Sequence, residues 1–226
     1  LATHLADDER FTVVIPDLPG HGRSPREWSY SYGAMAAKVA HEVGGCEGVV
    51  VVGHSLGGVI GLVLASGWFG VEVAHVIGIG VKLSWTDEQS EAALIRSGRE
   101  ERTFERHDEA LERYLRVSGL QGVVDPATPM AQRGVIRTPQ GWRLAWDPRT
   151  AAVGATPAES LLAGVPETRR SFLRGSEDIV VAQDDGSEWG VEHEVVGAYS
   201  HNIHVEAPGL VFSLIEPKIR PGRDPS

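Results

Sequence analysis

Apolar residues in the first third of the chain fall into short β-branched runs separated by stretches with helical spacing. Leu1, Leu5 and Ala6 share one face of an opening helix that gives way to the charges Asp7 to Arg10. Phe11 to Ile15 reads as a strand, followed by a Gly- and Pro-rich loop over residues 16–25. Ser31 is placed to cap a helix over 32–43, where Tyr32, Met35, Ala36, Val39 and Val43 form an i, i+3, i+4, i+7 stripe that Gly44-Gly45 stops. Val49 to Val52 is an unbroken β-branched run, as a strand buried on both faces requires. An apolar helix from Val59 to Ala65 and a third strand near Val73 to Ile79 follow. Strands alternating with helices across short Gly-rich joints predict an α/β fold with a mostly parallel sheet.

After about Ser84 the pattern changes. Residues 87–118 alternate charge with Leu94, Ile95, Phe104, Leu111, Tyr114 and Leu115, the pattern of two or three amphipathic helices. Residues 121–165 are broken by Pro126, Pro129, Pro139, Pro148 and Pro157, with Trp142 and Trp146 among them as expected core. Strand character returns at Ser171-Phe172-Leu173 and at Val195-Val196. Pro208 then opens a last helix, ended by Pro217, before a loose tail over 218–226. The expected organisation is a core over 1–83, a helical cap over 84–165 and a second core segment over 166–226.

Chemistry concentrates first at Gly53-His54-Ser55-Leu56-Gly57, a G-x-S-x-G pattern between a strand and a helix. A serine raised on so sharp a turn takes a strained backbone conformation, so the residues two before and two after it are expected to lack a Cβ. This is the setting of a nucleophile elbow, with the Ser55 hydroxyl exposed at the strand end. A serine needs a base within reach and a third group to orient that base. Leu173 to Val180 is a strand ending in a glycine turn with two carboxylates, Glu177 and Asp178. Downstream, Gly197 to His204 puts His201 in a loop just after a strand. All three segments end at the C-terminal edge of a parallel sheet, where active sites of such sheets gather.

Composition narrows the partners. The 226 residues carry a net charge of −10, which argues against nucleic acid and anionic membrane surfaces. No apolar run approaches the roughly 20 residues of a membrane span. The single Cys46 excludes an internal disulfide and a thiolate metal cluster, and is compatible with a reducing, cytoplasmic setting. His201 and His204 are spaced as an H-x-x-H pair, yet the glutamate and third ligand of a zinc site are not evident, so no metal and no dissociable cofactor are expected. His54 and His21 are expected to be structural, His204 to pack near the last helix, His75 and His41 to pack or face solvent, and Lys82 to be solvated.

Together these residues resemble the α/β-hydrolase fold superfamily, in its cap-bearing, esterase-like branch. Asp17-Leu18-Pro19-Gly20-His21-Gly22-Arg23-Ser24 resembles the family's loop after its fourth strand, and Gly53 to Gly58 its elbow. Gly175-Ser176-Glu177-Asp178 resembles its acid turn, and His201 to Pro208 its histidine loop. The resemblance implies Ser55 as nucleophile, His201 as general base and acid, Asp178 as orienting carboxylate, and the Leu56 N–H as one oxyanion donor. Glu177 competes for the acid role, as do Asp87 and Glu88, which sit where some relatives carry theirs. The resemblance also implies three strands before the first helix and a His-Gly loop supplying a second oxyanion donor. This chain begins at that helix, so those strands are expected to be missing and the sequence to be a fragment of a longer protein. Without the third strand, Phe11–Ile15 and Val49–Val52 are expected either to pair directly or to leave a gap.

The implied activity is hydrolysis of a carboxylic ester, lactone or similar acyl bond of a small-molecule substrate, with the 84–165 cap choosing the substrate. Related folds run C–C bond hydrolysis, lyase and perhydrolysis chemistry with the same triad. The alternative from another class is a ligand-binding protein on a hydrolase scaffold that turns over little or nothing.

Overall fold

The computed structural model describes residues 1–219, so the end of the expected tail lies outside the described residues. In chain order the elements are α1 (Ala2–Ala6), α2 (Tyr32–Glu42), β1 (Val49–His54), α3 (Leu56–Ala65), β2 (Val73–Ile79), α4 (Asp87–Ser97) and α5 (His107–Val117). These are followed by α6 (Pro129–Gln132), β3 (Val135–Thr138), β4 (Gly141–Leu144), β5 (Arg170–Gly175), β6 (His193–Val196), α7 (Ile203–Glu206) and α8 (Pro208–Ile219). The chain forms two compact units. The first takes in Leu1–Pro16, Tyr32–Ser84 and the described residues from Pro157 onward; the second takes in Asp17–Ser31 and Trp85–Thr156.

The first unit is built on a four-stranded parallel sheet in the order β1-β2-β5-β6. Alternation along β2 sends Val76 to one face and Ile77 and Ile79 to the other. On the first face lies α3, buried from Gly58 to Ala65. Its glycines let it approach closely: a Cβ on Gly61 would stand 2.9 Å from Val51 Cγ1, and one on Gly58 only 2.3 Å from Val81 Cγ2. Glycine costs a helix about 1 kcal/mol against alanine, a loss set against the contact it permits. On the second face Ile77, Ile79, Leu173 and Val196 join Ile203, Val211, Ile215 and Ile219 in one buried cluster. Each such side chain contributes about 1.5–3 kcal/mol when fully buried.

Two local expectations fail. Phe11–Ile15 forms no strand: residues 11–18 have no regular structure, and Ile15 is 68% exposed. A strand persists only through its ladder, and β1, the nearest in the sheet order, is an edge to which this segment does not pair. Pro217 does not end the last helix, which runs through it to Ile219. Pro217 removes one backbone N–H from the helix, and the burial of Ile219 beyond it in the core cluster acts against that loss.

The second unit joins α4, α5 and α6 to an antiparallel hairpin, β3-β4, which helical periodicity did not foreshadow. Thr86 and Gln89 close a capping box at the start of α4. Trp142 sits edge-on to His107 at 4.5 Å, and Trp146 donates to the Thr150 hydroxyl at 2.6 Å, so both are internal contacts of this unit. Asp147 is its polar hub. Its buried carboxylate accepts from the Tyr30 hydroxyl at 2.8 Å, the Arg149 guanidinium at 2.7 Å and the Arg149 amide at 3.0 Å. Its own N–H donates to Gly20, so residues 17–31 are held to 145–150. Among the described residues no helix is long and apolar enough to cross a membrane.

Burial works to raise the Asp147 pKa, but the Arg149 and Tyr30 hydrogen bonds prevail and hold it down at about 2, against an ordinary 3.8. A carboxylate depressed in this way stabilises the fold fully above its unfolded value and loses that contribution as pH falls through its folded one. Asp147→Asn is therefore expected to flatten the acid loss of stability between about pH 4 and about pH 2. Urea midpoints across that range measure it, and an equally steep loss in the variant would contradict it.

Candidate active site

The strand-to-helix turn after β1 gives Ser55 φ 50° and ψ −117°, the only positive φ outside glycine among the described residues. Such a conformation costs on the order of 1–3 kcal/mol and persists only when its surroundings enforce it. Here they do. The Ser55 N–H donates to Ile79 O at 2.8 Å, and its carbonyl accepts from Gly58 and Val59 at 3.0 and 3.3 Å. A Cβ on Gly53 would lie 2.3 Å from the Gly57 carbonyl carbon and 2.4 Å from the Gly58 amide nitrogen. At Gly57 the expectation is corrected, because a Cβ there would meet nothing within 4 Å. The closeness demanded by the turn falls on residues 53 and 58. Leu56 opens α3, and its N–H has no partner among the described residues, as for the first amides of any helix.

Asp178 lies in the turn after β5, its side chain shielded from solvent. One oxygen accepts from the Val180 and Val181 amides at 2.8 and 3.1 Å, and Oδ2 faces His201 Nδ1 at 2.9 Å. Burial acts to raise its pKa, but the His201 hydrogen bond and charge and the two amides outweigh it, leaving Asp178 below the ordinary carboxylate value. An ionised carboxylate only accepts, so His201 Nδ1 carries the hydrogen and Nε2 is left as the basic nitrogen. Glu177 is exposed, its amide bonded to Tyr199 O. Asp87 and Glu88 occupy the first turn of α4 in the other unit.

The acid turn and the histidine loop are joined by their backbones. A Cβ on Gly175 would fall 1.9 Å from Tyr199 O, so only glycine fits. Ser176 and Glu177 donate to Gly197 O and Tyr199 O at 3.1 and 3.0 Å. Glu206 braces the histidine loop from within, accepting from the Ser200 amide at 3.1 Å and from its hydroxyl. Gly80 follows the Ile79 carbonyl that holds Ser55, has φ 60°, and would place a Cβ 3.0 Å from His201 Nδ1. The Ser55 backbone and the His201 ring therefore both lie against the Ile79-Gly80 step. Among the described residues no hydrogen bond joins the Ser55 hydroxyl to His201 or to any other group.

Gly80, Glu206 and the Val180-Val181 amides are contributors that pattern reasoning passed over. A strand ending Ile77-Gly78-Ile79-Gly80 was the available signal for the first of them. His204 packs its ring 4.2 Å from that of His54, and burial above all pushes it down to about 4. His21, in the second unit, faces Pro19 O at 3.3 Å, and His75 meets the Ser171 hydroxyl at 2.9 Å. Lys82 Nζ reaches Val180 O at 3.4 Å. Among the described residues no group of three or more His, Cys, Asp or Glu is arranged to hold a metal ion.

The two elbow glycines are expected to respond oppositely to alanine. Gly53→Ala should destabilise by at least about 1–3 kcal/mol, the usual cost of overpacking. Gly57→Ala should be neutral or stabilising by up to about 1 kcal/mol. Denaturant midpoints of the two variants decide the matter, and equal losses would contradict the open space at residue 57.

The model of the alpha/beta hydrolase family matches residues 1–214. No curated protein sequence matches the chain. Among solved structures, E-2-(acetamidomethylene)succinate hydrolase superposes with a TM-score of 0.68 at 18% identity, over 88% of this chain and 78% of its own. The thioesterase domain from the curacin biosynthetic pathway gives 0.68 at 20%, over 89% and 79%. An esterase of M. tuberculosis gives 0.69 at 19%, over 89% and 74%. At such identities the likeness is one of fold, while the family match spans nearly the whole sequence. This chain belongs to the alpha/beta hydrolase family.

Proposed function

We propose that the protein is a serine hydrolase that cleaves a carboxylic ester, lactone or similar acyl bond through an acyl-enzyme. Ser55 Oγ attacks the acyl carbon while His201 Nε2 takes its proton. The Leu56 N–H donates to the oxyanion of the tetrahedral intermediate. Collapse expels the alkoxide, which leaves as the alcohol with the proton from Nε2. A water then attacks the acyl-serine, again giving its proton to His201, and the acid departs as Ser55 is restored. Asp178 keeps His201 in the required tautomer and stabilises the imidazolium formed in each half-reaction.

The observation that carries this reading is the 2.9 Å contact between His201 Nδ1 and a shielded Asp178, beside a serine at positive φ. A buried, ionised carboxylate aimed at one nitrogen of a histidine is costly as mere packing, and it has a purpose if the other nitrogen must act as a base. The esterase and thioesterase names among the solved neighbours favour acyl chemistry within the family.

A fluorophosphonate probe is expected to label the wild-type protein at Ser55, and Ser55→Ala to abolish the label. Turnover of p-nitrophenyl acetate should fall by about 10⁴–10⁶ in that variant, as in other triad knockouts. Asp178→Asn should cost about 10⁴ with the protein still folded. A wild-type protein that neither labels nor turns over would instead favour a binding protein on a hydrolase scaffold.

A further inference from the structure

His54 immediately precedes the candidate nucleophile, and its ring packs against two other histidines. Its centroid is 4.6 Å from that of His201 and 4.2 Å from that of His204. Its Nε2 is 3.0 Å from the carbonyl oxygen of His201. A carbonyl oxygen can only accept, so Nε2 must bear the hydrogen. Burial first, then the neighbouring His204 and His201, hold His54 well below the ordinary histidine range; the Asp178 charge opposes this without reversing it. The hydrogen bond therefore fixes the hydrogen on Nε2, and burial favours the neutral ring.

This bond does something that the Asp178 contact does not. Asp178 orients the His201 side chain but leaves open where the backbone of residue 201 stands relative to β1. The Glu206 brace acts within the histidine loop itself. Gly80 sets only how near the ring can come. The His54 Nε2–H reaches from the last residue of β1 to the main chain of the base, linking the residue beside the nucleophile to the base across 147 positions of sequence.

We propose that His54 is a positioning residue for acyl transfer, donating Nε2–H to the His201 carbonyl and thereby fixing the separation between the backbones of nucleophile and base. The inference rests on the serine-hydrolase reading above. Its effect belongs in the chemical step, because the bond touches neither substrate nor oxyanion. A displacement of about 1 Å at a reacting pair can cost on the order of 10²-fold in rate.

The test compares His54→Met with His54→Gln, two unbranched side chains of similar length of which only glutamine retains an N–H donor. With p-nitrophenyl acetate, His54→Met is expected to lower kcat by about 10–100-fold with KM little changed, and to slow fluorophosphonate labelling in proportion. His54→Gln should recover most of that loss. A Met variant as fast as wild type, or a Gln variant as slow as Met, would overturn the inference. A measurement on the wild-type protein covers the case of a variant that fails to fold. Long-range ¹H–¹⁵N spectra should show the hydrogen of the His54 ring on Nε2 rather than on Nδ1. An Nδ1–H tautomer would also overturn it. An unlabelled wild type removes the parent reading and this inference together, whereas a labelled wild type with an unaffected Met variant removes this inference alone.

Discussion

The backbone of Gly53 runs so close to that of Gly57 and Gly58 that even a methyl group cannot stand between them. That contact forces the chain to reverse from strand to helix within a single residue, and Ser55 bears the cost as a positive φ. What offsets the cost is remote in sequence. The serine amide is held by Ile79 at the end of β2, and α3 is drawn onto the sheet through Gly58 and Gly61. The elbow is stable because the sheet beside it is stable. Burial of α3 on one face and of the α7-α8 cluster on the other therefore supports the geometry of one hydroxyl.

From that point the candidate site grows by close backbone approaches. Gly175 lets the acid turn lie against residues 199–200, and Gly80 lets the His201 ring lie against the end of β2. At each place the missing Cβ leaves room for a peptide or ring that carries chemistry. Electrostatics then assigns roles within the space so made. Asp178 is shielded, and burial alone would favour its neutral form, but two amides and His201 keep it ionised. His54 and His204, packed together and buried, are driven toward neutrality. His201 hydrogen-bonds Asp178 directly, whereas at the other two rings the charges of Asp178 and Glu206 do not offset burial.

The second unit is held by different means. Its apolar contacts are distributed over short helices and a hairpin, and Asp147 gathers Tyr30, Arg149 and Gly20 into one polar knot. Segments 17–31 and 85–156 are far apart along the chain, and no periodicity connects them. Their association depends on hydrogen bonds whose partners only the folded chain brings together.

Wherever local patterning was strong, the sequence was legible. Four consecutive valines, an apolar helix after a G-x-S-x-G turn, and two strand-to-loop transitions carrying Asp178 and His201 were readable because each is decided by neighbours within a few residues. Phe11–Ile15 misled because β-propensity marks a strand that can form, whereas forming it requires an unpaired edge in the right place. Pro217 does not stop the helix, because Ile219 beyond it is buried in the core cluster. The strained turn requires a residue without a Cβ at 53 but not at 57, where the space beside the backbone is open. The order of residues carried the parallel α/β pattern through its local periodicity, and the proposed site residues through a resemblance to known members of the family. Only the tertiary structure decided that His54 reaches the main chain of His201, that Gly80 admits its ring, and that Asp178 is ionised in a shielded turn. Those facts depend on distances between segments that the order of residues does not encode locally.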